Sequence, residues 1–144
     1  MTQSLRGMFA VDTGPIFEMV QRSRDGDRLF DAVVNGSITV VTHELAITEL
    51  KYILCRGVGP DEARQRVAQL LNSGFIEVEQ TVNLMDEASM YKCHRSLALP
   101  DCFTLALSKS WGLPALFGNL ERELITEMNR EPFDVEIVFF SDLK

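Results

Sequence analysis

The chain has little of what would mark several common protein classes. Its 144 residues include three cysteines, Cys55, Cys93 and Cys102. They are odd in number and lack Cys-x-x-Cys spacing, which argues against a disulfide framework and for a reducing, cytoplasmic setting. The two histidines, His43 and His94, lie far apart, so no zinc motif can be written from them. No apolar run approaches the length of a membrane span. The first residues carry one arginine before Gly7 and no apolar leader core, so the sequence predicts no export and no membrane partner. Positive charge is also short: 14 Lys and Arg face 21 Asp and Glu, a formal net charge of −7. That balance disfavours broad electrostatic binding to nucleic acid. Any phosphate-handling site must therefore be local and work through bound cations.

What is present reads as one globular domain, residues 1–144, without repeats, linkers or low-complexity segments. Hydrophobic residues make up 46% of the chain, enough for a normal core. Residues 7–12 form a short apolar run without polar alternation, the signature of a buried parallel strand. Helices are expected from Pro15 to Arg22 and from Arg28 to Asn35, with Asp25-Gly26-Asp27 as the break between them. Ser37–Val41 is β-branched and reads as a second strand. Thr42 is placed to cap a long helix ending near Cys55, and another helix runs from Pro60 to Leu71. Strands follow at 75–78, 115–117 and 135–140, and helices at 83–96, 100–110 and 120–129. This alternation predicts an α/β fold: a central, mostly parallel, five-stranded twisted sheet with helices on both faces, an α/β/α sandwich.

Four acidic positions recur near element boundaries. Asp12 ends the first strand, at the carboxyl edge where open α/β sheets bind ligands. Asp12 and Thr13 equally suit a helix N-cap. On the helix at 42–55, at about 100° per residue, Leu45, Ala46, Tyr52, Ile53 and Arg56 fall within about 60° of Glu49. Glu49 thus shares an apolar face, where a carboxylate is costly unless paired, with Arg56 for example, or metal-bound. Asp101 opens a nearly all-apolar helix, and a favourable interaction with the helix dipole explains it as well as chemistry does. Asn119, Glu121 and Glu123 follow the strand at 115–117, and capping alone can account for all three.

These stretches together resemble the PIN-domain nucleases, a group that includes VapC-type toxins. The resemblance rests on Phe9-Ala-Val-Asp12-Thr13, Ala46-Ile-Thr-Glu49-Leu50-Lys-Tyr52, Leu99-Pro-Asp101-Cys-Phe-Thr-Leu-Ala106 and Asn119-Leu-Glu121-Arg-Glu-Leu124, in matching order and spacing. It implies a PIN-like fold in which Asp12, Glu49 and Asp101 ligate a divalent metal. Glu121 takes the place of a fourth acid that usually stands in a Thr-x-Asp pattern, and Asn119 that of the threonine. By resemblance all four acids are catalytic and metal-binding, with Thr13 and Asn119 orienting carboxylates or water. Clustered carboxylates raise one another's pKa, and Mg²⁺ or Mn²⁺, hard cations that favour oxygen, relieve that repulsion. The expected activity is metal-dependent hydrolysis of RNA phosphodiester bonds. The resemblance further implies a homodimer and a small antitoxin-type protein partner.

Basic residues offer candidates for phosphate contact: Arg22, Arg24 and Arg28, then Arg56 on the Glu49 face, and a cluster of Lys92, His94 and Arg95. Each is equally an ordinary surface charge. Two other readings are weighed. Asp12-Thr13-Gly14 also occurs in aspartic-protease loops, but those enzymes are all-β, against the helices read here. The same fold with a weakened site would serve as an RNA- or protein-binding module, in keeping with the departure at Asn119 and Glu121.

Overall fold

A computed structural model describes residues 6–118 and 121–143 of the chain. Five strands form one sheet: β1 (Gly7–Val11), β2 (Ile38–His43), β3 (Ile76–Glu79), β4 (Ala115–Phe117) and β5 (Ile137–Phe139). Their order is β3-β2-β1-β4-β5, and every pairing is parallel. Seven α-helices connect them among the described residues. Helices α1 (Thr13–Gln21) and α2 (Arg24–Val34) lead from β1 to β2, and α3 (Glu44–Val58) and α4 (Pro60–Asn72) from β2 to β3. Helices α5 (Met85–His94) and α6 (Leu99–Trp111) lead to β4, and α7 (Arg122–Arg130) to β5.

The sheet divides the core into two halves. Phe9, Val11, Val40, Leu116 and Val138 pack on one face with Ile16, Leu29, Leu50 and Val67 from α1 to α4. Ala10, Val41, Ala115, Phe117 and Phe139 pack on the other with Ala88, Leu105 and Leu124 from α5 to α7. Alternate side chains of one strand point to opposite faces, so a sheet covered on both sides needs apolar residues at every position. That explains the unbroken run Phe9-Ala10-Val11. The expected α/β fold with helices on both faces is present.

Strand order matters more than strand number for the site. The chain builds β1, β2 and β3 outward in one direction, then returns to lay β4 against the other side of β1. Ala10 pairs with Ala115 and Val11 with Leu116. This reversal leaves a crevice beyond the carboxyl ends of β1 and β4, because the connections leaving those two strands part to opposite faces. Asp12 stands at that point, its backbone N–H donating to the Leu116 carbonyl at 2.9 Å.

Three local expectations need correction. Asp25-Gly26-Asp27 is not a break but the first turn of α2, capped by Ser23, whose hydroxyl accepts from the Gly26 N–H at 3.0 Å. The chain reverses instead at Arg22, which adopts a left-handed conformation at φ 61°. Gly26 is required by packing: a Cβ there would lie 1.8 Å from the Glu18 carbonyl oxygen and 2.7 Å from Met19 N. Second, Thr42 does not cap α3. It belongs to β2, which runs on to His43, and its hydroxyl donates to the Val11 carbonyl at 2.8 Å. His43 is the cap. Third, the helix expected at 83–96 is a 3-10 turn, Thr81–Asn83, followed by the shorter α5. The helix cap expected at Asn119 lies outside the described residues.

Two glycines make opposite predictions. Gly26→Ala forces α1 and α2 apart at backbone level and should cost about 3 kcal/mol or more. Gly57, in α3, has open space around its would-be Cβ, so Gly57→Ala should stabilise by about 0.5–1 kcal/mol. Thermal unfolding of the two variants reads both signs.

Candidate metal centre

Asp12 occupies the N-cap position of α1, yet its carboxylate makes no cap hydrogen bond. It is buried and accepts instead from the Thr104 hydroxyl, 2.8 Å from Oδ1. The capping explanation of Asp12 therefore does not account for its side chain. Thr104 sits one turn into α6, directly above Asp101, and its hydroxyl also lies 3.2 Å from the Pro100 carbonyl. Asp101 occupies the first turn of α6 and is half-buried. Glu121 precedes α7, at the end of the segment that leaves β4, and is also half-buried.

Asp12, Asp101 and Glu121 come together. One carboxylate oxygen from each lies within 4.8 Å of the other two. Among the described residues none of these acids, nor Glu49, has a basic side chain at ion-pair distance. Burial raises the pKa of all three, and neighbouring negative charge adds to it. Glu121 is pushed up to about 7 by burial and by the charges of Asp12, Glu123 and Glu49. Asp101 is raised by burial and by Asp12, Glu121, Glu49 and Glu123. Asp12 is raised by burial, partly offset by its bond from Thr104. Hard oxygen ligands with unbalanced negative charge suit a divalent cation such as Mg²⁺ or Mn²⁺. The Thr13 hydroxyl adds to that fit: it is buried beside Asp12 with no hydrogen-bond partner among the described residues, a costly state unless a ligand or water meets it.

The remaining residues singled out in the sequence divide. Glu49, half-buried on α3, lies outside the closest group but its charge is felt at all three acids. Glu123 is exposed. Arg56 does not pair with Glu49; its guanidinium lies over the exposed Tyr52 ring, 5.0 Å from the centroid. Lys92 donates to the Leu97 carbonyl at 2.6 Å. Arg95 donates to the carbonyls of Glu127, Glu131 and Pro132 and covers the Phe133 ring, so it serves as a clamp between α5 and the end of α7. Asn119 lies outside the described residues. A shallow cavity of about 240 Å³ borders Glu121, lined also by Gly14, Glu18, Asp25, Gly118 and Phe140.

Sequence reasoning did not single out His43 and Thr104 as site residues. His43 is fully buried and links α3 to Thr104: its Nδ1 accepts from the Ala46 N–H at 3.0 Å, and Nε2 lies 2.9 Å from Thr104 Oγ1. Burial pushes its pKa down to about 4.

The titration behaviour makes a signed prediction. Carboxyl groups whose folded-state pKa exceeds the unfolded value stabilise the fold most below about pH 4, and that contribution is lost as pH rises through the folded value. His43 is shifted the other way and is neutral in both states above its ordinary pKa of about 6.5. Between pH 6.5 and 8.5 the carboxyl groups therefore dominate. In chelator the melting temperature should fall across that interval, Mn²⁺ should restore it, and Asp101→Asn should flatten the fall. Differential scanning calorimetry measures all three.

Known proteins share the fold that carries this cluster. No curated protein matches the chain. Among solved structures, VapC20 of Mycobacterium tuberculosis, a Sarcin-Ricin loop cleaving toxin, is 20% identical, with a TM-score of 0.61 over 76% of this chain and 87% of its own. DNA-bound VapBC from Salmonella typhimurium is 15% identical, with a TM-score of 0.64 over 94% of this chain and 98% of the matched one. VapBC2 from Rickettsia felis, bound to a DNA fragment from its promoter, is 10% identical, with a TM-score of 0.60 over 92% and 98%. At these identities the likeness is one of fold. The sequence profile of the PIN domain matches residues 9–127, which takes in all four acidic positions. A match over that much of the sequence settles the family: the chain belongs to the PIN domain family.

Proposed function

We propose that the chain is a divalent-metal-dependent endoribonuclease, the toxin of a toxin–antitoxin pair. The observation that carries this reading is the convergence of Asp12, Asp101 and Glu121, oxygen to oxygen within 4.8 Å, at the reversal of strand order. These residues would hold Mg²⁺ or Mn²⁺, with Glu49 at the margin of the site. When bound, the ion supplies an acidified water and positive charge against the charge developing on a phosphodiester.

The chain's own groups do the rest. Thr104 fixes the rotation of the Asp12 carboxylate through its hydroxyl. Thr13, whose hydroxyl has no partner among the described residues, offers it to a water or a phosphate oxygen. Tyr52 and Arg56 lie on the exposed surface of α3 beyond Glu49, where a ring under a guanidinium suits an unstacked base and its phosphate. Near neutral pH protons compete with the ion for the acids, so activity should rise with pH as the carboxyl groups empty.

RNA as substrate is supported by the toxin VapC20, which cleaves the Sarcin-Ricin loop. A protein partner is supported by the fold shared with the VapBC complexes from Salmonella typhimurium and Rickettsia felis; a homodimer belongs to the same reading. A cytoplasmic location fits such a pair; among the described residues no helix is long and apolar enough to cross a membrane.

Asp12→Asn and Asp101→Asn should each lower Mn²⁺-dependent RNA cleavage by more than about 100-fold, since substitutions one layer outside a metal site already cost about 10–100-fold. Unchanged cleavage by either variant, in a preparation free of other nucleases, overturns the assignment. Arg56→Ala should weaken RNA binding in a gel-shift assay while leaving Mn²⁺ affinity intact.

A further inference from the structure

The hydrogen bonds around His43 have a fixed direction. The Ala46 backbone N–H can only donate, so His43 Nδ1, 3.0 Å away, must accept and carries no proton. The proton of the neutral imidazole is then on Nε2, which donates to Thr104 Oγ1 at 2.9 Å. With that lone pair filled, the Thr104 proton has two acceptors in reach: Asp12 Oδ1 at 2.8 Å and the Pro100 carbonyl at 3.2 Å. An ionised carboxylate at the shorter distance wins. A one-way series therefore runs from the backbone of α3, through β2 and α6, to the acid at the end of β1. His43 itself has no freedom to turn, being fully buried with its ring 5.9 Å from that of Phe103, centroid to centroid.

We infer that His43 is a positioning residue for the metal centre: by donating to Thr104 it commits the threonine proton to Asp12 and locks the carboxylate oxygen presented to Asp101 and Glu121. This rests on the metal-dependent reading given above. Capping α3 is the other role that His43 fills, and the two roles can be separated chemically. An asparagine at this position can cap the helix through its carboxamide oxygen, and asparagine is among the favoured caps. It is too short to reach Thr104.

The test compares Mn²⁺ affinity by titration calorimetry in the full chain and its variants. His43→Asn should fold and bind Mn²⁺ about 10–100-fold more weakly. Thr104→Val, which keeps the shape and loses the hydroxyl, should do the same, and Thr104→Ser should recover most of the affinity. The double variant His43→Asn, Thr104→Val should lose no more than either single one, because both interrupt one series. In metal-free wild-type protein, ¹⁵N spectroscopy should find the His43 proton on Nε2. Should His43→Asn fail to fold, Thr104→Val and the tautomer decide. Wild-type affinity in His43→Asn or Thr104→Val, or a proton on Nδ1, overturns the inference and leaves the nuclease reading standing. A wild-type protein that takes up no Mn²⁺ overturns both.

Discussion

Three carboxylates held close together in a partly buried cleft repel one another, and most of this structure can be understood as the framework that holds them there. Left to themselves, such groups would separate or take up protons. Here they cannot separate, because each is attached where a buried element begins or ends. Asp12 follows the most central strand, Asp101 opens a helix whose next seven residues are buried, and Glu121 leads into α7 beside β4. Their positions are set by two apolar cores of opposite faces, not by any attraction among themselves. The strain is accordingly electrostatic and local, while its support is apolar and spread over the whole sheet.

The support also explains why an acidic protein can belong to a family of this architecture. A net charge of −7 gives no general attraction for a polyanion. Most of the arginines whose contacts are visible are engaged within the fold: Arg95 on three carbonyls, Arg130 on Glu127, Arg22 on Asp27. Under the proposed nuclease reading, binding would therefore depend on what the carboxylates recruit and on few side chains, Tyr52 and Arg56 foremost. This places unusual weight on the geometry of the acids, because no broad field compensates for a misplaced oxygen.

Much of this was legible in the sequence, for identifiable reasons. The run Phe9-Ala10-Val11 ending in Asp12 announces a buried strand because a sheet covered on both faces tolerates no polar alternation. Asp101 and Glu121 stand out because helix starts are recognisable from Pro100 and from the capping residues near 119. What was hidden has equally definite causes. Gly26 looks like a chain break, but the reason for a glycine there is the backbone of Glu18, a contact between helices that no local pattern encodes. His43 follows a β-branched run and reads as the first turn of a helix capped by Thr42, and Thr104 lies in an apolar helix. Their partners are 61 and 92 residues distant, so only the folded chain shows that they belong to one series.

The pairing of β1 with β4 has a consequence for the order in which the molecule comes into being. Strands β1 to β3, with their four helices, are complete within the first 79 residues and can assemble from neighbours in sequence. β4 is separated from its partner by about a hundred residues, a loop that is slow to close. The nascent chain thus carries Asp12 and Glu49 long before it possesses Asp101 or Glu121. The cluster of acids therefore cannot assemble until the segment that follows β4 has been made.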